Sequence, residues 1–231
     1  MDTREIALPG GRVTPGVVRV GDTVRRPIRG HSDYSHALLR LLEARGFDGA
    51  PRFLGIDDQD REILSFLPGE VPPDLRLFSD RQVERGAAVL RRYHDATAGS
   101  DLCAGREVVC HGDASPCNYV FVDDLPYALI DFDNARPGYR SHDVGYAAWL
   151  WLDIGNPRLD ARRQGKRLSR FVGSYGSFDV SGALRSVLEA QTRSARDRSV
   201  PLFVRAWATC SREWTVKHVR LLEVGMWDLW R

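Results

Sequence analysis

Short apolar runs in the first seventy residues predict a small β-rich region. Four runs of β-branched, aromatic and aliphatic residues, separated by turn formers, predict strands at residues 17–20, 23–27, 52–56 and 62–67. Between the second and third strands, apolar residues recur at helical spacing. Ser32 is the predicted N-cap of this helix, and Gly46 follows its end. A Pro-Gly pair at residues 68–69 then interrupts the pattern, which predicts a boundary near residue 70.

A mostly helical pattern occupies the rest of the chain. A capping-box sequence at Ser79 predicts a helix that runs to about Ala98. Further helices are predicted at residues 142–153, 158–175, 181–195 and 201–230. The pattern therefore predicts an α+β protein, with a small β-rich N-terminal lobe (1–70) and a larger, mostly helical C-terminal lobe (71–231).

Two apolar runs between these helices predict a β-hairpin, at residues 119–122 and 127–130. The turn formers of residues 123–126 separate them, which predicts a four-residue loop. If Val122 pairs with Tyr127, the amide of Asn118 lies opposite the carboxylate of Asp131 at the mouth of the hairpin.

Polar residues around this hairpin predict a metal-assisted site. An amide oxygen from Asn118 and a carboxylate from Asp131 suit one hard divalent cation such as Mg²⁺. Asp113 lies five residues before Asn118, across a Ser-Pro loop. Because it need not touch the metal, its carboxylate is free to accept a proton from a hydroxyl nucleophile.

Composition narrows the classes of partner. Hydrophobic residues make up 43% of the 231 residues and charged residues 28%, which is typical of a globular protein, and the formal charge is only +2. We therefore expect no nucleic-acid partner. The charge balance also argues weakly against a site for polycationic aminoglycosides, although a local acidic cleft is compatible with a neutral total.

The cysteines and the N-terminal residues indicate the compartment. Four cysteines form no CxxC pair, so they are expected to be reduced thiols. We find no signal-like segment and no apolar run long enough to span a bilayer. A cytoplasmic protein without a membrane partner is expected, and the oligomeric state is left open.

The motif HGDASPCN at residues 111–118, followed by the hairpin and IDFD at residues 130–133, resembles the catalytic core of the aminoglycoside phosphotransferase and small-molecule kinase superfamily. The resemblance implies a two-lobe protein-kinase-like fold with the active site between the lobes. It also implies roles for individual residues: Asp113 as catalytic base, His111 as the scaffolding residue of the catalytic loop, Asn118 and Asp131 as magnesium ligands, and Asp143 as a buttress of that loop.

The same resemblance implies a nucleotide site in the N-terminal lobe. The resemblance places Gly10 and Gly11 over the nucleotide phosphates, although two glycines taken alone favour a plain turn. The backbone near Ser65 to Leu67 is expected to meet the adenine edge. Backbone recognition does not distinguish ATP from GTP, so ATP is the expected cofactor and GTP is not excluded.

One departure from the superfamily concerns the phosphate-binding lysine. Both lysines of the chain lie beyond residue 160, so the N-terminal lobe has none. Arg26 is the expected replacement and Arg25 is the alternative, because neighbouring residues of a strand point to opposite faces. Asp33 or Glu43 is expected to pair with this arginine, and Asp33 is nearer the position that the resemblance implies. A first-turn acid favoured by the helix dipole is an equally simple interpretation of Asp33.

The expected reaction is transfer of the γ-phosphate of a Mg-nucleotide to a hydroxyl of a small molecule. Only eleven residues separate Asp131 from Asp143, which leaves no room for a peptide-docking segment. An aminoglycoside or other antibiotic is one acceptor, and amino alcohols, sugars and nucleosides are others. The alternative is a nucleotide-binding, immunity-type protein without transferase activity, because the missing lysine is typical of inactive kinase relatives.

Overall fold

A five-stranded antiparallel sheet forms the N-terminal part of the protein. The computed structural model describes residues 4–8, 16–30, 32–176 and 180–228. The strand order is β1-β2-β3-β5-β4, and one helix, α1, follows β3 in the chain. The bounds are β1 (Glu5–Ala7), β2 (Val18–Val20), β3 (Thr23–Pro27), α1 (Ser32–Ala44), β4 (Phe53–Ile56) and β5 (Arg61–Ser65).

The four predicted strands of this region are present, with ends that differ by one or two residues, and β1 is an additional edge strand. Ser32 is the first residue of α1 rather than the residue before it. Its Oγ accepts a 2.8 Å hydrogen bond from the backbone N–H of Arg29, so it closes the turn that leads into the helix.

In the described residues, the C-terminal part consists of six α-helices and two short β-ribbons. Ser79 forms the predicted capping box with Gln82 at the start of α2. The ribbons pair β6 with β9 and β7 with β8, both antiparallel. The bounds are α2 (Asp80–Thr97), β6 (Val108–Cys110), β7 (Tyr119–Val122), β8 (Leu125–Leu129), β9 (Arg136–Gly138), α3 (Arg140–Leu152), α4 (Ala161–Tyr175), α5 (Val180–Arg196), α6 (Leu202–Lys217) and α7 (Val219–Trp227).

The long final helix that was predicted for residues 201–230 is two helices, divided at His218. The division lets α6 pack along α5 while α7 packs along α4. At the second contact, Gly165 of α4 lies against the backbone of Leu222, and Gly225 of α7 lies against the backbone of Arg162. A hydrophobic period alone does not reveal such a change of packing partner.

Two tryptophans of α3 belong to the core. Trp149 and Trp151 are almost completely buried, and Trp149 stacks on Trp207 of α6 with ring centroids 4.6 Å apart. Trp151 packs against Phe78 and Phe121. These aromatic residues therefore fill space between the helices and the β7–β8 hairpin.

Candidate active site

The turn of the β7–β8 hairpin is shorter than predicted. Asp123 and Asp124 have φ angles of 50° and 62°, and together they form a two-residue loop of the kind that suits a hairpin. Strand β8 therefore begins at Leu125, and Pro126 lies within it, opposite Phe121, where the register shifts. The prediction of a four-residue loop was wrong because Pro126 is tolerated at this irregularity.

The shorter turn changes the residues that face each other at the mouth of the hairpin. Tyr119 pairs with Leu129, and the N–H of Ile130 donates a 2.9 Å hydrogen bond to the carbonyl oxygen of Asn118. The predicted pairing of Asn118 with Asp131 was therefore wrong by one residue. Asp131 follows the paired segment and has a φ of 64°.

Asn118 and Asp113 contact each other within the loop that precedes β7. The side-chain amide of Asn118 donates a 2.9 Å hydrogen bond to the carbonyl oxygen of Asp113. This contact uses the nitrogen of the amide, so its oxygen is the atom that remains to bind a ligand. The Asp113 carboxylate is half-buried, and its Oδ1 accepts a 3.0 Å hydrogen bond from the hydroxyl of Tyr146 on α3.

The sequence analysis predicted no role for Tyr146, although its position three residues after Asp143 indicated that it faces the same loop. Residues three apart on a helix share a face, so a loop buttressed by Asp143 also lies within reach of Tyr146. Burial, followed by the negative charge of Asp113, holds the pKa of Tyr146 well above its usual value. The hydroxyl therefore remains protonated and donates to Asp113.

His111 and Asp143 support the loop that precedes β7 through hydrogen bonds to its backbone. The Nε2 of His111, which is fully buried, lies 3.0 Å from the carbonyl oxygen of Ile130, and its Nδ1 accepts from the N–H of Asp113. Asp143 accepts hydrogen bonds from the backbone N–H groups of His111, at 2.6 Å, and Gly112, at 3.0 Å. These contacts support the loop structurally, and the roles that the resemblance implied for His111 and Asp143 stay predictions.

A buried network extends from Asp143 to α2 and α4. The Nε2 of His94 lies 3.0 Å from Asp143, and its Nδ1 lies 2.7 Å from the hydroxyl of Tyr175. Burial alone would raise the pKa of Asp143, but the hydrogen bond and charge of His94, together with the charge of His111, lower it. His94 is therefore a structural hydrogen-bonding residue.

Arg26 of β3 reaches from the sheet to the residues that follow β8. Its Nε donates to Glu62, which is its cross-strand partner on β5. Its two terminal nitrogens lie 3.4 Å from Asp131 and 2.6 Å from Asp133. Arg25 points away from this group and lies 3.6 Å from Asp57. Of the two arginines, Arg26 is thus the one that faces the polar residues of the C-terminal part.

The acid that pairs with Arg26 differs from the predicted one. Asp33 is exposed, and Glu43 pairs with Arg52 at the surface, so the expected pairing with an acid of α1 was wrong. The partner is Glu62, which is fully buried and also contacts His36 of α1. Strand β5 buries alternate residues, Glu62 and Leu64, so its period-2 pattern was a signal for an inward-facing acid.

The pKa values of Arg26 and Asp131 are both raised in this group of charges. Burial disfavours the charged guanidinium, but the carboxylates of Glu62, Asp133 and Asp131 raise the pKa of Arg26, so it stays protonated. Burial, and next the charge of Asp133, raise the pKa of Asp131, while Arg26 partly offsets this change. Two carboxylates held this close attract a cation, and Arg26 is the cation that the protein itself supplies.

Residues 35–171 match the model of the phosphotransferase enzyme family, which is 59% of the chain (137 of 231 residues). The chain belongs to this family. It is also 32% identical, over 96% of its length and 98% of the relative, to a trifolitoxin immunity protein from Rhizobium leguminosarum bv. trifolii. The matched segment contains the complete motif of residues 111–118 and the acidic residues that follow the hairpin.

Solved structures of phosphotransferases share the fold. An aminoglycoside phosphotransferase from Streptomyces rimosus, solved with ADP and streptomycin, superposes with a TM-score of 0.60 at 14% identity, covering 92% of this chain and 94% of that one. An ethanolamine kinase from Plasmodium vivax superposes with a TM-score of 0.61 at 11% identity, covering 94% and 82%. This member of the family thus has a small antiparallel sheet followed by a helical part, as predicted. None of its described helices combines the length and apolarity needed to cross a membrane.

Two of the residues predicted for nucleotide binding, Ser65 and Leu67, lie around the end of β5. The N–H of Ser65 donates to the carbonyl oxygen of Arg52, and its Oγ accepts from the N–H of the same residue, so Ser65 joins β5 to β4. Leu67 is half-buried just beyond the strand. Gly10 and Gly11 lie outside the described residues.

The side-chain oxygens of Asn118, Asp131 and Asp133 lie near the hairpin and form the candidate metal site. Within the described ranges, no three or more His, Cys, Asp or Glu side chains are grouped to hold a metal ion. The predicted set differs from such a cluster because one of its members is an amide. A free amide oxygen on Asn118 and the carboxylates of Asp131 and Asp133 are hard oxygen donors, which fit Mg²⁺ when nucleotide phosphates complete the coordination.

Proposed function

We propose that this phosphotransferase moves the γ-phosphate of a Mg-nucleotide to a hydroxyl group of a small molecule. The observation that carries the proposal is the contact of Arg26 with Asp131 and Asp133, more than a hundred residues away in the chain. This contact joins a cation suited to phosphate and carboxylates suited to a metal. Asp113 and Asn118 precede the same hairpin. Phosphoryl transfer needs mainly such positioning and charge neutralisation.

Asp113 is proposed as the base. Tyr146 occupies Oδ1, so Oδ2 is the oxygen that takes the proton of the acceptor hydroxyl. The hydroxyl oxygen then forms a bond to the γ-phosphorus while the bond between that phosphorus and the β–γ bridging oxygen breaks. The nucleoside diphosphate leaves with the electron pair of the broken bond.

Asn118, through its amide oxygen, and Asp131 would hold Mg²⁺. Bound with nucleotide, the ion neutralises charge on the phosphate oxygens. Arg26 contributes a second positive charge, and its planar guanidinium binds phosphate oxygens in pairs. Arg26 therefore leaves Asp131 and Asp133 for the phosphates when the nucleotide binds.

ATP is the proposed phosphate donor, and GTP is the alternative. The backbone near Ser65 to Leu67 is proposed to meet the base. Because the N–H groups of Ser65 and Phe66 already donate to the carbonyl oxygens of Arg52 and Asp22, the backbone N–H proposed to meet the base is that of Leu67. Gly10 and Gly11 are proposed to cover the phosphates.

A small molecule is the proposed acceptor. The solved structures with this fold include enzymes named for streptomycin-type antibiotics and for ethanolamine, which are small hydroxylated compounds. The short segment between Asp131 and Asp143 supports the same class of acceptor. Phosphorylation of an antibiotic, with resistance as its consequence, is one form of this proposal.

Immunity without phosphate transfer is the second candidate function. It is favoured by the likeness, over nearly the whole chain, to a protein named for immunity to trifolitoxin. The replacement of lysine by Arg26 also favours it, because a binding protein does not need the usual phosphate contact. A carboxylate base such as Asp113 is unnecessary for binding alone. Phosphate transfer is therefore the first of the two proposed functions.

Transfer of labelled γ-phosphate from ATP or GTP, with Mg²⁺, to a panel of aminoglycosides, amino alcohols, sugars and nucleosides tests the proposal. We expect one class of compound to be labelled. Asp113→Asn should reduce that rate by about 10²- to 10⁴-fold, the usual contribution of a positioned base. Asp58→Asn, an exposed acid of the same type in a turn before β5, is the matched control and should keep the wild-type rate.

Two results would contradict phosphate transfer by this mechanism. Equal rates for the wild type and Asp113→Asn would remove the proposed base. Nucleotide binding with no labelled product, in a panel extended to include trifolitoxin, the toxin in the relative's name, would favour the binding protein.

A further inference from the structure

Glu62 is a fully buried acid that contacts two basic side chains. Its Oε1 accepts from the Nε of Arg26, and its Oε2 lies 2.7 Å from the Nε2 of His36 on α1. A carboxylate removed from water costs several kcal/mol unless it is paired and hydrogen-bonded. Both of its oxygens are engaged, so the charge of Glu62 is stabilised only while these partners remain in place.

The arrangement orients Arg26 in one direction. Arg26 and Glu62 face each other across β3 and β5, and the bond to Nε fixes the inner edge of the guanidinium. The two terminal nitrogens then point outward, to Asp131 and Asp133. Without Glu62, the flexible side chain of Arg26 would lose the contact that selects this orientation.

We propose that Glu62 is a positioning residue that aims Arg26 at the nucleotide phosphates, and that His36 holds Glu62 for this task. The inference rests on the proposed function. In the protein-kinase template, an acid on the helix pairs with the phosphate-binding residue. In this protein the acid, Glu62, lies on the neighbouring strand β5, and helix α1 contributes the imidazole of His36. The position of α1 is therefore coupled to Arg26 through the chain His36–Glu62–Arg26.

His36 is itself held in place, which makes this coupling specific. Its ring stacks on Phe53 of β4, with centroids 3.8 Å apart and planes inclined by 24°. Burial leaves the ring little freedom, so its Nε2 remains directed at Glu62. A displacement of α1 would thus be transmitted to the carboxylate that orients Arg26.

Nucleotide affinity tests the proposal without an identified acceptor. The dissociation constant of Mg-ATP is measured by titration calorimetry on the full chain for the wild type, Arg26→Met, Glu62→Gln and the double variant. Glu62→Gln preserves shape and removes charge, and it should weaken binding by about tenfold to a hundredfold, the usual loss for a hydrogen bond to a charged group. The double variant should bind within about threefold of Arg26→Met, because Glu62 acts through Arg26.

Two further variants complete the experiment. Glu43→Gln removes an exposed acid of the same lobe that pairs with Arg52, and it should leave the affinity unchanged. His36→Gln keeps the charge of Glu62 and loosens its position. It should weaken Mg-ATP binding in the wild-type background and have no effect in the Arg26→Met background. It also carries the test if Glu62→Gln does not fold.

The outcomes separate this inference from the proposed function. A lower melting temperature with unchanged affinity for Glu62→Gln, or losses that simply add in the double variant, would overturn the positioning role while nucleotide binding stands. If the folded wild type binds neither Mg-ATP nor Mg-GTP, the proposed function and the role of Glu62 fail together.

Discussion

The hydroxyl of Tyr146 donates a 3.0 Å hydrogen bond to Oδ1 of Asp113. The two residues are 33 positions apart, on α3 and on the loop before β7. The contact fixes one carboxylate oxygen of the proposed base and leaves the other to face an acceptor. Tyr146 therefore links the first core helix after the hairpin to the proposed chemistry.

Replacing Tyr146 by Phe removes this hydrogen bond and keeps the ring. We expect kcat of phosphate transfer to fall by about tenfold, because an unrestrained carboxylate is less often aligned with the acceptor. The KM for the nucleotide should not change. Steady-state kinetics of transfer provide the measurement. Tyr139→Phe, which removes an exposed hydroxyl bonded to Arg106, is the control, and an equal fall in both variants would argue against a specific effect.

Removing Arg26 should have opposite effects on two ligands. Its guanidinium contacts the carboxylates of Asp131 and Asp133, so Arg26→Met should strengthen binding of Mn²⁺ alone, by about tenfold. The same variant should weaken binding of Mg-ATP. Calorimetric titration of each ligand provides the measurement.

Arg25→Met is the matched control for this pair of titrations, since Arg25 lies on the same strand but pairs with Asp57. It should bind both ligands like the wild type. Weaker Mn²⁺ binding by Arg26→Met would show that Arg26 does not compete with a cation for these carboxylates.

Replacing Asp143 by Asn should strongly destabilise the protein. The carboxylate accepts from two backbone N–H groups of the loop that precedes β7 and contacts His94, and loss of one partner of a buried pair costs about 3–5 kcal/mol. Urea unfolding at neutral pH gives the free energy of unfolding. A loss below about 1 kcal/mol, no larger than expected at a surface position such as Asp58, would contradict the buttressing role.

The same carboxylate contributes a defined pH dependence. Because the folded-state pKa of Asp143 is lowered, the folded protein binds fewer protons than the unfolded chain in acid. Its stabilising contribution is therefore present above the unfolded pKa of about 3.9 and is lost as the pH falls through the folded value. The free energy of unfolding of Asp143→Asn should fall less steeply below about pH 4 than that of the wild type. Parallel curves would show that the shift of Asp143 is not the cause.

Two glycines of α4 should respond oppositely to alanine. A Cβ on Gly165 would overlap the backbone of Leu222 on α7, so Gly165→Ala should destabilise the protein by about 1–3 kcal/mol. Nothing lies within 4 Å of a Cβ on Gly173, so Gly173→Ala should stabilise it by about 0.5–1 kcal/mol through helix propensity. Denaturant unfolding of both variants checks the difference. If both variants were equally stable, α7 would not pack on α4 as described.

The sequence alone determined the elements and the residues that carry local chemistry. Apolar periodicity located four strands of the sheet, the two strands of the hairpin and most helices, because each element exposes one face and buries another. The motif of residues 111–118 indicated Asp113 and Asn118, whose roles stay predictions, because its residue types and spacing are rarely combined by chance. The capping box at Ser79 was also readable, since its bonds join residues three apart.

Tertiary structure decided the register of the hairpin and the partners of distant charges. A turn shortened by two residues, to Asp123 and Asp124, together with a register shift of one residue beside Phe121, moved Asn118 away from Asp131 by one residue, and local pattern does not distinguish the two loops. Glu62, and not Asp33, became the partner of Arg26 because β5 lies beside β3 in the sheet. Such pairings depend on which strands become neighbours, and a charge finds its partner in space rather than at a fixed distance along the chain.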